Sequence, residues 1–184
     1  MKVICISAKA RHGKDASAEI LKEIYETRGR RVLITHYADL LKYICKTFFG
    51  WNGEKDDYGR TLLQKVGTNV VGAKRPDFWV NFIVDILHLF DNEWDVILIP
   101  DCRFPVELER MRENFDTTLL RIERPNFDNG LSEVQKQHAS ETALDNYGYD
   151  FKIYNEGTLE DLKNHLEAFV TVLEARDASR LESW

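Results

Sequence analysis

The sequence predicts an α/β fold in three layers, a mostly parallel sheet flanked by helices on both faces. Three observations predict it. Short continuous apolar runs, Val3-Ile4-Cys5-Ile6 and Asp95 to Pro100 (DVILIP), have the pattern of strands buried on both faces. Segments with apolar residues at helical spacing alternate with such runs, which implies crossover connections between parallel strands. The chain of 184 residues, 43% hydrophobic and 30% charged, fits one globular domain on the prior of roughly 150 residues per domain and can bury a sizeable core.

The elements follow in order. A strand at Val3 to Ile6 runs into a loop, Ser7 to Gly13. From Asp15 a helix carries Ile20, Leu21, Ile24 and Tyr25 until Gly29 stops it. Arg31 to His36 is a second strand, and Ala38 to Phe49 a second helix with Leu40, Leu41, Ile44, Cys45 and Phe48 on one side. Gly50 to Gly59 is polar and turn-rich, a surface excursion. A third helix is expected over Arg60 to Val71. At about 100° per residue, Arg60, Gln64, Gly67 and Thr68 share one side, and Leu62, Leu63, Val66 and Val70 the other. Arg75-Pro76-Asp77 opens a fourth helix, whose stripe of Trp79, Phe82, Ile83, Ile86, Leu87 and Phe90 is expected in the core. The strand Asp95 to Pro100 ends at Asp101. A helix from Pro105 to about Glu113, a strand at Thr117 to Ile122, a polar stretch from Glu123 to Gln137 and a strand at Phe151 to Tyr154 come next. Thr158-Leu159-Glu160-Asp161 has the form of a capping box and opens a helix carrying Leu162, Leu166, Phe169, Val170 and Leu173. Residues after Arg176 read as a frayed tail.

Composition excludes several functions. With 25 Lys+Arg against 31 Asp+Glu, a net charge of −6, there is no cationic surplus to neutralise the phosphates of a nucleic acid polymer. Cys5, Cys45 and Cys102 are far apart and spell neither a disulfide framework nor a zinc site, which suits a reducing cytoplasm. The first seven residues are too short for a secretory apolar region, and no run approaches the ~20 apolar residues of a membrane span. His12, His36, His88 and His165 lack metal-ligand spacing.

The chemistry concentrates at Ala8-Lys9-Ala10-Arg11-His12-Gly13-Lys14-Asp15, between a buried strand and a helix. A phosphate-binding loop needs inward amides, a helix N-terminus behind them and a lysine reaching the outer phosphates. Gly13 and Lys14 satisfy G-x-x-x-x-G-K-[ST], whereas Ala8 and Asp15 depart from it. The competing reading is an ordinary turn with Asp15 as N-cap, but such turns rarely carry three cations (Lys9, Arg11, Lys14) in six residues. Asp15 stands where a hydroxyl normally meets Mg²⁺, and Ser17 is the nearest hydroxyl. With Asp101 at the end of its apolar strand, these are the metal candidates. The architecture therefore reads as a P-loop NTPase fold.

Several segments then occur in a telling order: Gly13-Lys14-Asp15, Ala38-Asp39-Leu40-Leu41-Lys42, Arg60 to Thr68 (RTLLQKVGT), Asp101-Cys102-Arg103-Phe104-Pro105 with Glu107, Arg121-Ile122-Glu123-Arg124-Pro125, His138-Ala139-Ser140-Glu141, and Asp150 with Ile153 and Asn155. Across residues 1 to about 165 the chain resembles the bacteriophage-type deoxynucleoside monophosphate kinases, within the P-loop nucleoside monophosphate kinases. It departs from the pattern at Ala8 and Ala16. The resemblance implies transfer of the γ-phosphate of ATP to a nucleoside 5′-monophosphate, with Mg²⁺. It also implies one kinase domain over 1–184, with a helical monophosphate-binding region about 38–91 and a lid about 123–141 that closes over ATP.

In such a reaction the acceptor is already anionic, so catalysis is positioning plus charge stabilisation. The expected catalytic residues are Lys14, Arg103, Arg121 and Arg124. ATP is assigned to Arg11, His12, Gly13, Lys14, Asp15 and Ala16, with Asn155 and Gly157 where this fold class usually cradles adenine. The acceptor is assigned to Asp39, Lys42, Arg60, Gln64, Thr68, Trp79, Arg103, His138 and Glu141. Bland alternatives stand beside these: Asp39 as a helix cap, Arg60 on a solvated face, Arg103 in a surface pair with Glu107, Asn155 and Gly157 as turn chemistry. Two other functions stay open: another small-molecule P-loop kinase, of the dephospho-coenzyme A or phosphomevalonate type, and a nucleotide-binding protein without catalysis. A GTP switch lacks its Asn-Lys-x-Asp. Trp51 with Phe48-Phe49 fits either a homodimer interface or a core edge.

Overall fold

The computed structural model describes residues 1–54 and 56–182; Lys55 of the turn-rich excursion and the last two residues of the tail lie outside them. Five strands, β1 (Lys2–Ala8), β2 (Val32–Ile34), β3 (Val96–Ile99), β4 (Asp116–Glu123) and β5 (Phe151–Tyr154), form one sheet in the order β2-β3-β1-β4-β5. All pairings are parallel, with Ile4 opposite Leu98 of β3 and Thr118 of β4. β1 sits centrally, with β2 and β3 on one side and β4 and β5 on the other. The crossover direction reverses there, which opens a crevice beyond its carboxyl end.

The uninterrupted apolar runs are explained by burial on both faces. Alternate residues go to opposite cores: Ile4, Ile6, Leu98, Leu120 and Ile122 pack under α1 (Lys14–Thr27) and the last helix, while Val3, Cys5, Ile97, Ile99 and Leu119 pack on the other side. That second core is closed by the fourth and fifth helices. α2 (Ala38–Phe49) and α3 (Asp57–Gln64) follow β2, and α4 (Phe78–Leu89) precedes β3. Then come α5 (Pro105–Asn114), the short α6 (Glu133–Lys136) and α7 (Ala139–Thr142), and α8 (Leu159–Glu182). Among the described residues no helix is long and apolar enough to cross a membrane.

Several expectations are corrected. The third helix starts earlier, with Asp56 Oδ1 capping it by accepting from the Gly59 amide at 2.7 Å. It gives way after Gln64 to a π-helical segment, Lys65–Gly72. The wider i→i+5 winding rotates the faces away from those computed for an α-helix. Gly67 is buried, so close to Leu41 that a Cβ would lie 2.7 Å from its Cδ2, and Val70 is exposed. In α4 the buried stripe is Val80, Ile83, Val84 and Leu87, whereas Phe82 and Phe90 are exposed. The polar stretch after β4 contains α6. α8 continues past Arg176 to Glu182, so the described part of that tail is helical rather than frayed. Its predicted capping box is present: Thr158 Oγ1 accepts from the Asp161 amide at 3.2 Å, and Asp161 Oδ2 accepts from the Thr158 amide at 2.8 Å. Trp51 is a core edge, packed with Cys45 and Val66, while Phe48 and Phe49 remain exposed.

Candidate active site

The loop after β1 turns on two left-handed residues, Arg11 (φ 63°) and Gly13 (φ 101°). Glycine suits that region; for Arg11 it costs roughly 1–2 kcal/mol. α1 begins at Lys14 with Gly13 as its cap and no side-chain cap bond, so Asp15 is not the N-cap. The first bond inside the helix runs from the Ser17 amide to the Gly13 carbonyl at 2.8 Å. The amides of Lys14, Asp15 and Ala16 are left without intrahelical acceptors and with the positive end of the helix dipole behind them. Lys14 Nζ lies 2.5 Å from Asp15 Oδ1, on a side chain that is 70% exposed.

Around this loop the topology gathers cations expected from the sequence, and acids hold Lys9, Lys14, Arg103 and Arg121. Lys9 Nζ pairs with Asp145 at 2.8 Å, and Arg121 reaches the other oxygen of Asp145 at 3.2 Å. Arg121 lies within β4, only 3% exposed, and also donates to Ser7 Oγ at 2.9 Å, so it is fastened in the sheet rather than carried on a lid. Arg103 Nη1 donates to Glu141 at 2.6 Å and to the Ser140 carbonyl at 2.9 Å. The other oxygen of Glu141 accepts from the Ala10 amide of the loop at 3.0 Å. A carboxylate thus joins a loop amide to an arginine, an arrangement that an anionic phosphoryl group can equally satisfy. His138 caps α7 through Nδ1, which accepts from the Ser140 amide at 3.2 Å.

Arg103 is oriented from below by Glu107. One Glu107 oxygen accepts from the amides of Arg103 (2.6 Å) and Phe104 (2.9 Å), so the predicted Arg103–Glu107 ion pair is instead a backbone capping contact. Burial pushes the Glu107 carboxyl up to about 8; the Asp101 charge adds to this, and the two amide bonds and Arg103 oppose it. The folded protein therefore keeps a proton on Glu107 that the unfolded chain releases near 4.5. Folding takes up that proton between the two values, and stability falls as pH rises from about 4.5 to 8, on the order of a few kcal/mol in all. Glu107→Gln should flatten this slope in thermal melts across that range, and an unchanged slope would refute the assignment.

Asp101 directs one oxygen at the Tyr37 amide and the other at the Ala38 amide, both 3.0 Å, and so holds the start of α2 against the end of β3. Asp39 accepts from the His36 amide at 3.1 Å and from Lys42 at 2.8 Å. Burial alone would raise its carboxyl pKa, but Lys42 and His36 outweigh that and lower it. Ser17 Oγ is fully buried and has no hydrogen-bond partner among the described residues, which hold no group of three or more His, Cys, Asp or Glu placed for a metal. An orphaned hydroxyl beside a phosphate loop fits a magnesium ion that arrives with phosphates and takes few protein ligands.

On the other side of the loop, His12 accepts at Nδ1 from the Arg124 amide at 3.0 Å, and its carbonyl accepts from Asn155 Nδ2 at 3.1 Å. Burial first, and then the Arg121 charge, hold the His12 ring below the usual imidazole range. The Arg124 guanidinium stacks 3.9 Å from the Phe127 ring centre. A cavity of about 210 Å³ lies between the loop and the segment after β4, lined by Lys9, His12, Phe127, Asn129, Lys136 and Glu141. A larger groove, about 730 Å³, runs between β5 and α8, but it touches none of the loop's cations. Gly157 lies beside it, against Asp161.

Arg60, Gln64, Thr68 and Trp79 lie on the helical segments between β2 and β3. The Trp79 indole donates to the Gly67 carbonyl of the π segment at 3.1 Å, which ties α4 to that segment, and Gly67 abuts Leu41 of α2. Arg60 and Gln64 are exposed on α3, and Thr68 is half-buried. Asp145 is the site residue that sequence reasoning missed. Its signal was slight: an acid four positions after Glu141.

A family model described as deoxynucleotide monophosphate kinase matches residues 31–166. Among curated proteins, the deoxynucleotide monophosphate kinase of Enterobacteria phage T4 is 28% identical over 116 residues, 62% of this chain. The matched region spans about half of that relative, 46% of its length. Among solved structures, APS kinase of Mycobacterium tuberculosis in complex with AMPPNP and APS superposes with a TM-score of 0.56 at 9% identity, over 94% of this chain and 97% of that one. Shikimate kinase of Aquifex aeolicus gives 0.50 at 14% identity, over 97% and 99%. Dephospho-CoA kinase of Campylobacter jejuni gives 0.50 at 13% identity, over 95% and 97%. At these identities the likeness is one of fold.

Proposed function

The chain belongs to the deoxynucleotide monophosphate kinase family, and from that premise we propose that it transfers the γ-phosphate of ATP to a (deoxy)nucleoside 5′-monophosphate, giving the diphosphate. The observation that carries this reading is the phosphate loop itself: open first-turn amides and Lys14 at the carboxyl end of the central strand, with Arg103 joined to the loop through Glu141.

In this reading the residues take the following roles. The amides of Gly13 to Ala16 and the α1 dipole receive the donor phosphates, and Lys14 exchanges Asp15 for the phosphoryl oxygens. Arg103, steadied by Glu107, faces the place where Glu141 now holds the Ala10 amide, and there it stabilises charge on the transferring group. Arg124, together with Arg11, which lies against Gly130, couples the loop to a lid over 123–141. Arg121, buried among Ser7, Glu123 and Asp145, supports Lys9 rather than touching substrate. The region 38–91 receives the acceptor, with Arg60, Lys42 and Asp39 on phosphate or sugar and Gln64, Thr68, His138 and Trp79 shaping the pocket. Mg²⁺ would be held by Ser17 and, through water, by Asp15 and Asp101. The ion would supply positive charge against the negative charge of the phosphates. A small acceptor in a reducing cytoplasm, rather than a nucleic acid polymer, agrees with the net charge of −6 and with three buried, free cysteines.

A coupled ATP assay against the common ribo- and deoxyribonucleoside monophosphates, with dephospho-coenzyme A and phosphomevalonate alongside, tests the reading. Turnover confined to one or a few nucleoside monophosphates is expected. Turnover of only the other acceptors would replace it, and tight ATP binding without any turnover would mark a protein that has lost catalysis.

A further inference from the structure

Asn155 stands where an adenine contact was expected, yet one of its two side-chain N–H donors is already spent inside the protein. Its Nδ2 donates to the His12 carbonyl, and its own amide donates to the Glu123 carbonyl at 2.7 Å, which anchors it at the junction of β4 and β5. The His12 ring is gripped from the other side by the Arg124 amide, at the end of β4. Next in the chain is Gly13, packed so tightly on Asn155 that a Cβ there would lie 2.6 Å from Nδ2. On the other side is Arg11, in a left-handed conformation that a non-glycine residue does not hold without support. The backbone of the phosphate loop is thus fixed through His12 at two points that belong to two neighbouring strand ends.

We propose that Asn155 is a positioning residue for the phosphate loop, clamping His12 together with the Arg124 main chain so that the loop amides are set for a polyphosphate, and that it does not read the nucleobase. This rests on the reading of the loop as the donor-phosphate site. A clamp acts on the shape of the loop and is indifferent to the base, which a base-reading residue cannot be. An amide in this place supplies a donor to a carbonyl; a carboxylate of the same size supplies only acceptors and repels it.

The test uses Asn155→Ala and the isosteric Asn155→Asp, with thermal midpoints to verify folding. Inorganic tripolyphosphate, which has no base, is titrated calorimetrically into wild type and variants. Both variants should bind it about tenfold more weakly, the equivalent of one hydrogen bond. kcat/KM should fall by one common factor with ATP and with GTP, leaving their ratio and the KM for the acceptor unchanged. Amide exchange over residues 9–13 should quicken. Unchanged tripolyphosphate binding, or a shift in the ATP:GTP ratio, would overturn the clamp. If wild type phosphorylates no acceptor, the kinase reading fails, while tripolyphosphate binding and loop exchange still decide the role of Asn155.

Discussion

Lys14→Ala should lower kcat by about 10²–10³ while leaving the fold intact. In this structure Lys14 opens α1, and its ammonium rests on an exposed carboxylate, Asp15. Such a surface pair is worth little to stability, about 0–1 kcal/mol. Its removal therefore acts on the reaction, where a fixed positive charge meets developing negative charge without a hydration shell to rearrange. A variant that melts like wild type and has lost turnover is the expected result, read by circular dichroism and the coupled assay together. Loss of less than a few-fold in kcat would show that the lysine is not at the reacting phosphates.

Arg103→Ala should have a comparable effect on kcat, about 10²-fold or more, with an added cost in stability. Arg103 pairs with Glu141, whose side chain is 9% exposed, and with the Ser140 carbonyl. Removing the guanidinium leaves a carboxylate short of its charged partner in a nearly buried place, which costs about 1–3 kcal/mol. Arg103→Lys should not restore the rate, because a single ammonium does not reproduce the planar fork. The double variant Arg103→Ala/Glu141→Gln separates the two effects: it should regain most of the lost melting temperature and none of the lost rate. Recovery of both would make Arg103 a structural residue only.

The elements and the loop were legible because both depend on local spacing. β5 and α2 have the bounds expected of them, and the strand-loop-helix with Gly13-Lys14 is where the apolar run and the cations put it. The π segment was not legible: residues 65–72 have an acceptable α-helical pattern, and the wider winding shows only where Gly67 meets Leu41 and Trp79 takes its carbonyl. The partners of charged residues were the least readable. Glu107, four positions after Arg103, looked like its counter-ion but binds its backbone; the true partner, Glu141, is 38 residues on.

By itself the sequence determined the parallel sheet, the phosphate loop and the family, because each rests on residues close together in the chain, and burial on both faces, turn chemistry and helix starts act over a few residues. It also supplied the cations, which an overall charge of −6 conceals. Only the tertiary structure decided what holds them. Pairing energy depends on separation in space, and the order β2-β3-β1-β4-β5 brings residues from four strand ends to one edge. That places Asp145 on Lys9, Glu141 on Arg103 and Asn155 on His12. No spacing along the chain encodes those contacts, because each partner lies on a different element.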